Sequence, residues 1–280
     1  MNLHKILAVI VLYKSTLEES KSFKTLLASV ESERSVLKVL IYNNSPEYWQ
    51  YEGEKFAGLE MISINDHYNS GVSKAYNAAY SHAKDLGKEY ILLLDQDTKI
   101  SAIYLNTFCN AQERYESELY CPMIMNGSQL ISPAKFYLYT TKKIEFIDAG
   151  IQPLKGLAII NSGLIISVKL FGLAGGYNEC IKLDFSDFDF LKRSRKYTNH
   201  IVVLNAKCQH SLSSEVESSL VSALHRFTYY LQGAWHYNKS FFDAMGLMLW
   251  IFLRSFKLNL KYKSMAFTLG IFQFILKKHK

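Results

Sequence analysis

The sequence predicts an α/β fold with a mostly parallel central sheet, followed by C-terminal helices. Apolar strand-like runs alternate with helix-like stretches over the first hundred residues, as in a parallel sheet covered on both faces. Polar clusters (Tyr13–Thr16, Asn43–Ser45, Asn65–Gly71 and Asp95–Thr98) follow those runs, where such sheets bind ligands. From Glu217 onward the pattern is mainly helical and rich in aromatics.

Lys5–Tyr13 reads as the first strand. Its apolar part, Ile6–Leu12, also suggests a signal peptide. It is short, however, and Tyr13-Lys14 follows in place of a small-residue cleavage site, so a buried strand is the better reading. Leu17–Glu31 is an amphipathic helix. Val36–Tyr42 is a second strand, ending in the turn-like Asn43-Asn44-Ser45-Pro46. Met61–Ile64 is a short third strand. Val72–Leu86 is a helix stopped by Gly87. Tyr90–Leu94 is an apolar strand running straight into Asp95-Gln96-Asp97. In the less regular middle, Tyr120–Met125, Gln129–Ser132, Lys143–Ile147 and Leu164–Ser167 resemble strands. Gly175-Gly176-Tyr177 marks a turn, Asp187–Lys196 a helix and His200–Leu204 another strand. Residues 1–212 are expected to form one unit, with halves 1–98 and 99–212, and 213–280 a basic, aromatic-rich helical region.

With 49% hydrophobic and 20% charged residues in 280, the chain can build a sizeable core. Its four cysteines have no close spacing, so no zinc ribbon or Cys-x-x-Cys pair can be drawn, and a reducing compartment is expected. The net charge of +7 equals the seven Lys and Arg residues beyond Asp243, the last acidic residue. The preceding chain is neutral, which argues against a nucleic-acid partner. The tail's apolar runs, Ala244–Leu253 and Met265–Leu276, are shorter than the roughly 18 residues that span a bilayer. An interfacial location on a membrane surface fits them better.

Three segments carry potential chemistry. Asp95 and Asp97 stand two residues apart at a strand end and read either as an exposed acidic turn or, in an extended segment, as two carboxylates pointing the same way. Their repulsion would be relieved by Mg²⁺ or Mn²⁺ bridging to a diphosphate. Asn69–Ala79 reads on its own as an ordinary glycine turn and capped helix; the other reading is that Gly71 allows close backbone approach of a ligand before a helix whose N-terminus favours an anion. In Leu183–Arg193, Asp184, Asp187 and Asp189 interleave with aromatics. They suit either a helix dipole or a general base beside an acceptor pocket. His210 follows a strand and reads either as a metal ligand or as a loop histidine.

In this order the motifs resemble family 2 inverting glycosyltransferases of the rhamnosyltransferase-like kind, which have the GT-A nucleotide-sugar-binding fold. The resemblance covers residues 5–210. It rests on Ala8–Tyr13, Tyr42–Pro46, Asn69–Asn77, Asp95-Gln96-Asp97, Asn161-Ser162-Gly163, Gly175–Glu179 and Asp184–Arg193. It implies that 1–98 is the nucleotide-sugar half and 99–212 the acceptor half. It places Tyr13, Asn43, Asn69, Gly71, Lys74, Asn77, Asp95, Gln96 and Arg193 at the nucleotide sugar. Asn43 stands where the family commonly has an aspartate that contacts the base. Asp97 and His210 would hold Mg²⁺ or Mn²⁺. Asp187 would be the catalytic base, with Asp184 or Asp189 as fallback.

The implied reaction moves a sugar from a nucleoside diphosphate sugar to a lipid-linked saccharide in O-antigen-type polysaccharide synthesis. dTDP-L-rhamnose is the favoured donor, with UDP-galactofuranose and UDP-hexoses as alternatives. The enzyme would sit on the inner face of the cytoplasmic membrane, with its C-terminal helices also available for a homo-oligomer. A nucleotidyltransferase is disfavoured because Tyr13–Leu17 contains no glycine. A membrane-surface binding subunit without activity is the rival from another class.

Overall fold

The computed structural model describes residues 3–32, 34–46, 56–137, 139–210, 219–237 and 241–278, without the side chains of 241–243 and 278. Glu217, from which helix is expected, and the boundary at 212/213 lie outside the described residues.

The first half follows the expected alternation. β1 (Ile6–Leu12), α1 (Lys21–Ser32), β2 (Leu37–Asn43), β3 (Leu59–Asn65), α2 (Val72–Asp85) and β4 (Tyr90–Asp95) come in chain order. The strands lie side by side as β3-β2-β1-β4, all parallel. β1 shows why a continuous apolar run was needed. Ile6, Ala8, Ile10 and Leu12 enter the core layer shared with Phe23 and Leu26 of α1. Leu7, Val9 and Val11 enter the opposite layer with Ala75, Tyr76 and Ala79 of α2. A strand buried on both faces has no polar side to alternate with.

The second half continues the sheet. Its elements are β5 (Thr98–Lys99), α3 (Tyr104–Arg114), β6 (Leu119–Asn126), β7 (Gln129–Ser132), β8 (Ala134–Tyr137), β9 (Thr140–Lys142), β10 (Gly150–Pro153), β11 (Leu157–Ala158), β12 (Ile165–Ser167), α4 (Val168–Leu173), α5 (Ser186–Ser194) and β13 (His200–His210). The full order is β10-β13-β6-β12-β4-β1-β2-β3, with β5 on β13 and β7 on β6. β12 runs antiparallel between β4 and β6, and β13 is parallel to β6. β11, β8 and β9 form a small antiparallel sheet.

The structure departs from the sequence-based reading at α1, at Lys143–Ile147 and at α3. α1 starts at Lys21, because Thr16 and Glu19 exchange side-chain bonds to each other's backbone N–H and Ser20 Oγ accepts from Phe23 N–H. The residues before Lys21 are thus a capped turn. Lys143–Ile147 is not a strand: Phe146 points to solvent, Ile147 packs into the core, and among the described residues the segment joins no ladder. α3 was not anticipated, although Tyr104, Leu105, Phe108 and Cys109 repeat at helical spacing and are buried.

α6 (Leu220–Tyr237), α7 (Phe241–Tyr262) and α8 (Ala266–Lys278) pack on the sheet domain. Ile181 and Phe185 share one apolar cluster with Phe227, Tyr230, Leu231 and Leu247. Gly233 makes that contact possible, since a Cβ there would lie 2.2 Å from the Asp184 carbonyl oxygen. Among the described residues no helix is long and apolar enough to cross a membrane.

Candidate active site

The C-terminal ends of β1, β2 and β4 open onto one cleft of about 1330 Å³. Tyr13, Asn69, Gly71, Asp95, Gln96, Asp97, Asp184, Asp187 and His210 all line it.

Asp95, Asp97 and His210 present ligand atoms that lie within 4.8 Å of one another. The antiparallel pairing of β5 with β13 sets Thr98 opposite His210, which brings the histidine to the β4 end. Its ring is then fixed by a hydroxyl chain. Thr98 Oγ1 is 2.7 Å from His210 Nδ1 and 2.6 Å from Ser162 Oγ, which accepts from the Asp95 N–H at 3.0 Å. His210 Nδ1 lies 3.4 Å from Asp97 Oδ1. Burial raises the Asp95 pKa. His210 opposes that shift, Asp97 adds to it, and the Tyr76 hydroxyl, donating to Asp95 at 3.2 Å, opposes it. Two crowded carboxylates and an imidazole fit a divalent cation such as Mn²⁺ or Mg²⁺.

Gln96 ties this cluster to β1. Its Oε1 accepts from Tyr13 N–H at 2.7 Å and its Nε2 donates to Tyr13 O at 3.2 Å.

Gly71 has φ 100°, and a Cβ there would lie 2.5 Å from the Lys182 carbonyl oxygen. That carbonyl accepts the Val72 N–H at 2.9 Å. The α2 N-terminus is therefore joined through its first N–H to the segment leading into Asp184.

Asp66 was not singled out from sequence. Burial alone would raise its pKa, but bonds from Ser70, Tyr42 and Tyr68 outweigh that and hold it below the ordinary value. The Tyr42 hydroxyl donates to Asp66 at 2.8 Å, and the N–H groups of Tyr68 and Ser70 donate at 3.1 Å. Asp66 thereby shapes the loop that carries Asn69 and Gly71. The sequence signal was an aspartate directly after a strand.

Asp187 stands in the first turn of α5, partly open to the cleft, and accepts from the Phe188 N–H at 2.8 Å. Desolvation raises its pKa to about 7, the backbone bond opposes this, and Asp184 and Asp95 add to it. Nearby, the Tyr177 hydroxyl donates to Asn161 Oδ1 at 2.7 Å, and Asn161 Nδ2 donates to Ser186 Oγ at 3.2 Å.

Five expected site residues do not line the cleft. Asp189 accepts from Arg193 Nε at 2.9 Å and Nη2 at 2.7 Å, while Arg193 Nη1 donates to the carbonyls of Ala174 and Gly176. This fork, with Asp189 buried and Arg193 partly exposed, holds the Gly175–Tyr177 turn, and the two side chains face each other. Asn43 is buried, bonded to Asn65 Oδ1 and the Ser45 N–H; its neighbour Asn44 reaches the cleft. Asn77 binds the backbone of Tyr177 and the Glu179 carboxylate. Lys74 lies outside at the surface, with its Nζ 3.4 Å from Ser70 Oγ.

The helical region supplies a wall that sequence reading missed. His225, Arg226 and Tyr229 of α6 and Trp250, Arg254 and Lys257 of α7 line the same cleft. Burial, with Tyr13 adding, raises the Tyr229 pKa, which places α6 near the end of β1.

No family model matches the chain. It is 22% identical over 201 residues to the dTDP-rhamnosyl transferase RfbF of Shigella flexneri, covering 69% of this chain and 64% of that protein. Among solved structures it is similar to S. aureus TarS, with a TM-score of 0.58, 17% identity, and coverage of 75% of this chain and 37% of that one. S. aureus TarS 1–349 in complex with UDP matches with a TM-score of 0.56 and 16% identity over 86% of this chain and 68% of that one. GalNAc-T7 with UDP, GalNAc and Mn²⁺ matches with a TM-score of 0.55 and 10% identity over 96% of this chain and 56% of that one. The chain thus spans less than two thirds of the length of RfbF and about a third of that of TarS. Taken with the parallel sheet and the cleft at its strand ends, these likenesses show that the chain has the GT-A glycosyltransferase fold.

Proposed function

We propose that the protein is an inverting, metal-dependent glycosyltransferase. It would move a sugar from a nucleoside diphosphate sugar to a hydroxyl of a lipid-linked glycan. One observation carries this reading: a single cleft holds the Asp95–Asp97–His210 cluster and, within its electrostatic reach, the carboxylate of Asp187. A divalent cation held by that cluster would neutralise charge on the departing diphosphate. Asp187 accepts the proton of the acceptor hydroxyl while its oxygen bonds to the anomeric carbon and the bond to the diphosphate breaks. Its pKa near 7 suits a base working at neutral pH. Asn161 and the Asp66-shaped loop position acceptor and donor.

dTDP-L-rhamnose is the preferred donor, supported by the likeness to RfbF. The UDP in the TarS and GalNAc-T7 structures supports UDP-hexoses, and with them UDP-galactofuranose, as the alternative. The glycan would belong to O-antigen-type synthesis. The enzyme would lie peripherally on the inner face of the cytoplasmic membrane, through exposed apolar faces of α7 and α8. A homo-oligomer is the competing use of those faces.

Calorimetric titration with these donors, with and without Mn²⁺, tests the reading, followed by NMR of the product's anomeric configuration. Mn²⁺-dependent binding of one donor and inversion are expected. Retention would overturn the single displacement, and absence of any nucleotide binding would overturn the whole reading.

A further inference from the structure

We infer that α6 and α7 form a seat for the phosphate or diphosphate of a lipid carrier, at the helical wall of the cleft. This rests on the lipid-linked acceptor proposed above, and it assigns that acceptor's head group to named residues.

On α7, Trp250, Leu253, Arg254 and Lys257 line the cleft at i, i+3, i+4 and i+7 spacing, one helical face. Arg226 and His225 reach it from α6. The Arg254 guanidinium stacks on the Tyr230 ring at 4.0 Å, which holds a planar, multi-donor cation at the wall. It also makes one long ion pair, Nη1 to Asp184 Oδ1 at 4.0 Å, which leaves its other N–H groups to turn to an anion. Two of the tail's seven cations therefore face the site.

The adjoining face of α7 is apolar and open. Leu249 is 60%, Phe252 42%, Phe256 62% and Leu260 63% exposed. Leu253, 42% exposed, belongs to both faces. Among the described residues no acidic side chain interrupts this surface after Asp243. Cations inside a cleft, continuous with a hydrocarbon-binding stripe, match one chemistry: one or two phosphates on a long isoprenoid-like chain. A nucleotide would use the cations but not the stripe. A bilayer surface would use the stripe and the exposed Lys257, but it gives no role to an Arg254 held against Tyr230 at the cleft wall.

The test uses the full chain saturated with Mn²⁺ and dTDP, or with UDP if the panel shows UDP to bind. Farnesyl diphosphate, inorganic pyrophosphate and farnesol are titrated separately. Farnesyl diphosphate should bind without displacing the nucleotide, and more tightly than either fragment. The Arg254→Met/Lys257→Met variant should weaken it roughly 10–100-fold, the worth of one or two charge-assisted hydrogen bonds. Lys257→Glu alone, at an exposed position, should weaken it in the same direction and guards against misfolding of the double variant. Phe256→Glu should weaken farnesyl diphosphate but not pyrophosphate. Displacement of the nucleotide by farnesyl diphosphate would overturn the inference, since the anion would then occupy the donor site. So would unchanged binding in both cation variants. Nucleotide binding without any lipid diphosphate binding would sink this inference alone. Loss of nucleotide binding by the unaltered chain would instead sink the glycosyltransferase reading.

Discussion

Asp187 illustrates how one position acquires a chemical task. Desolvation raises its carboxyl pKa to about 7, against a backbone N–H that favours the ionised form. As a base it must be ionised, so kcat/KM should rise with pH and level off above about 7. For stability the sign is opposite. The folded pKa lies above the unfolded one, so this residue's contribution is fullest below the ordinary carboxylate range and is lost as pH rises toward about 7. Asp187→Asn should keep the fold, lower turnover roughly 10²–10⁴-fold and change donor binding little. Near-normal turnover in that variant alongside a dead Asp184→Asn would move the base to Asp184. Asp97→Asn should largely abolish transfer, and chelation should mimic it, because charge on the leaving diphosphate would go unneutralised. Full turnover in excess EDTA would remove the metal from the mechanism.

At the scale of elements, two contacts hold the acceptor side together. The fork from Arg193 to Asp189 joins α5 to the Gly175–Tyr177 turn, with Asp189 only 2% exposed. Asp189→Asn would leave the partly exposed Arg193 without its carboxylate, so it should cost about 1–3 kcal/mol. Thermal melts of Asp189→Asn and Asp187→Asn separate the structural from the chemical aspartate: only the first should melt markedly lower. The second contact is α6 on the Asp184–Phe185 backbone. Gly233→Val would force the helix away from Asp184, since even a Cβ would lie 2.2 Å from its carbonyl oxygen. It should destabilise the protein by about 1–3 kcal/mol and lower turnover as well. Normal turnover in a folded Gly233→Val protein would show that the helical wall is dispensable for chemistry.

For the whole molecule, the question is what the outer face of α7 and α8 meets. Phe267 is buried in the α6–α8 cluster, so it offers nothing to a membrane. Leu249, Phe252, Phe256, Leu269 and Phe272 are exposed. With Arg254 and Lys257 turned to the cleft, Lys261, Lys263 and Lys277 are the tail cations among the described side chains left for an anionic leaflet, at about 1 kcal/mol each where they reach it. Apolar contact should therefore outweigh charge, and salt should weaken binding only in part. Full-length protein should float with anionic liposomes, and Leu249→Glu/Phe256→Glu should not. A chain cut at Ser240 is the poorer comparison, because it uncovers the cluster that Leu247, Ile251, Phe267 and Ile271 close. Protein that stays soluble at low salt and sediments as a dimer would give this face to a second copy.

The sequence by itself determined the parallel half-sheet, because two-sided burial demands continuous apolar runs and each run ends where a ligand can be met. It also placed the acidic pair at a strand end, but not its geometry: β4 stops at Asp95, and Asp97 stands in the turn before β5, so the two carboxylates meet through that turn and not through strand alternation. Asp187 and Gly71 were legible for the same local reason: each stands at the start of a helix. Only the tertiary structure decided which polar groups face inward to the cleft and which bind each other. Asn43, Asn77, Asp189 and Arg193 carry suitable chemistry in suitable motifs, yet their hydrogen bonds are taken by partners up to 102 residues away. Only the pairing of β5 with β13 brought His210 to Asp97, and only packing of the helical region placed Arg254 and Tyr229 at the cleft. Periodicity reports which face of an element is buried; it does not report which distant element buries it.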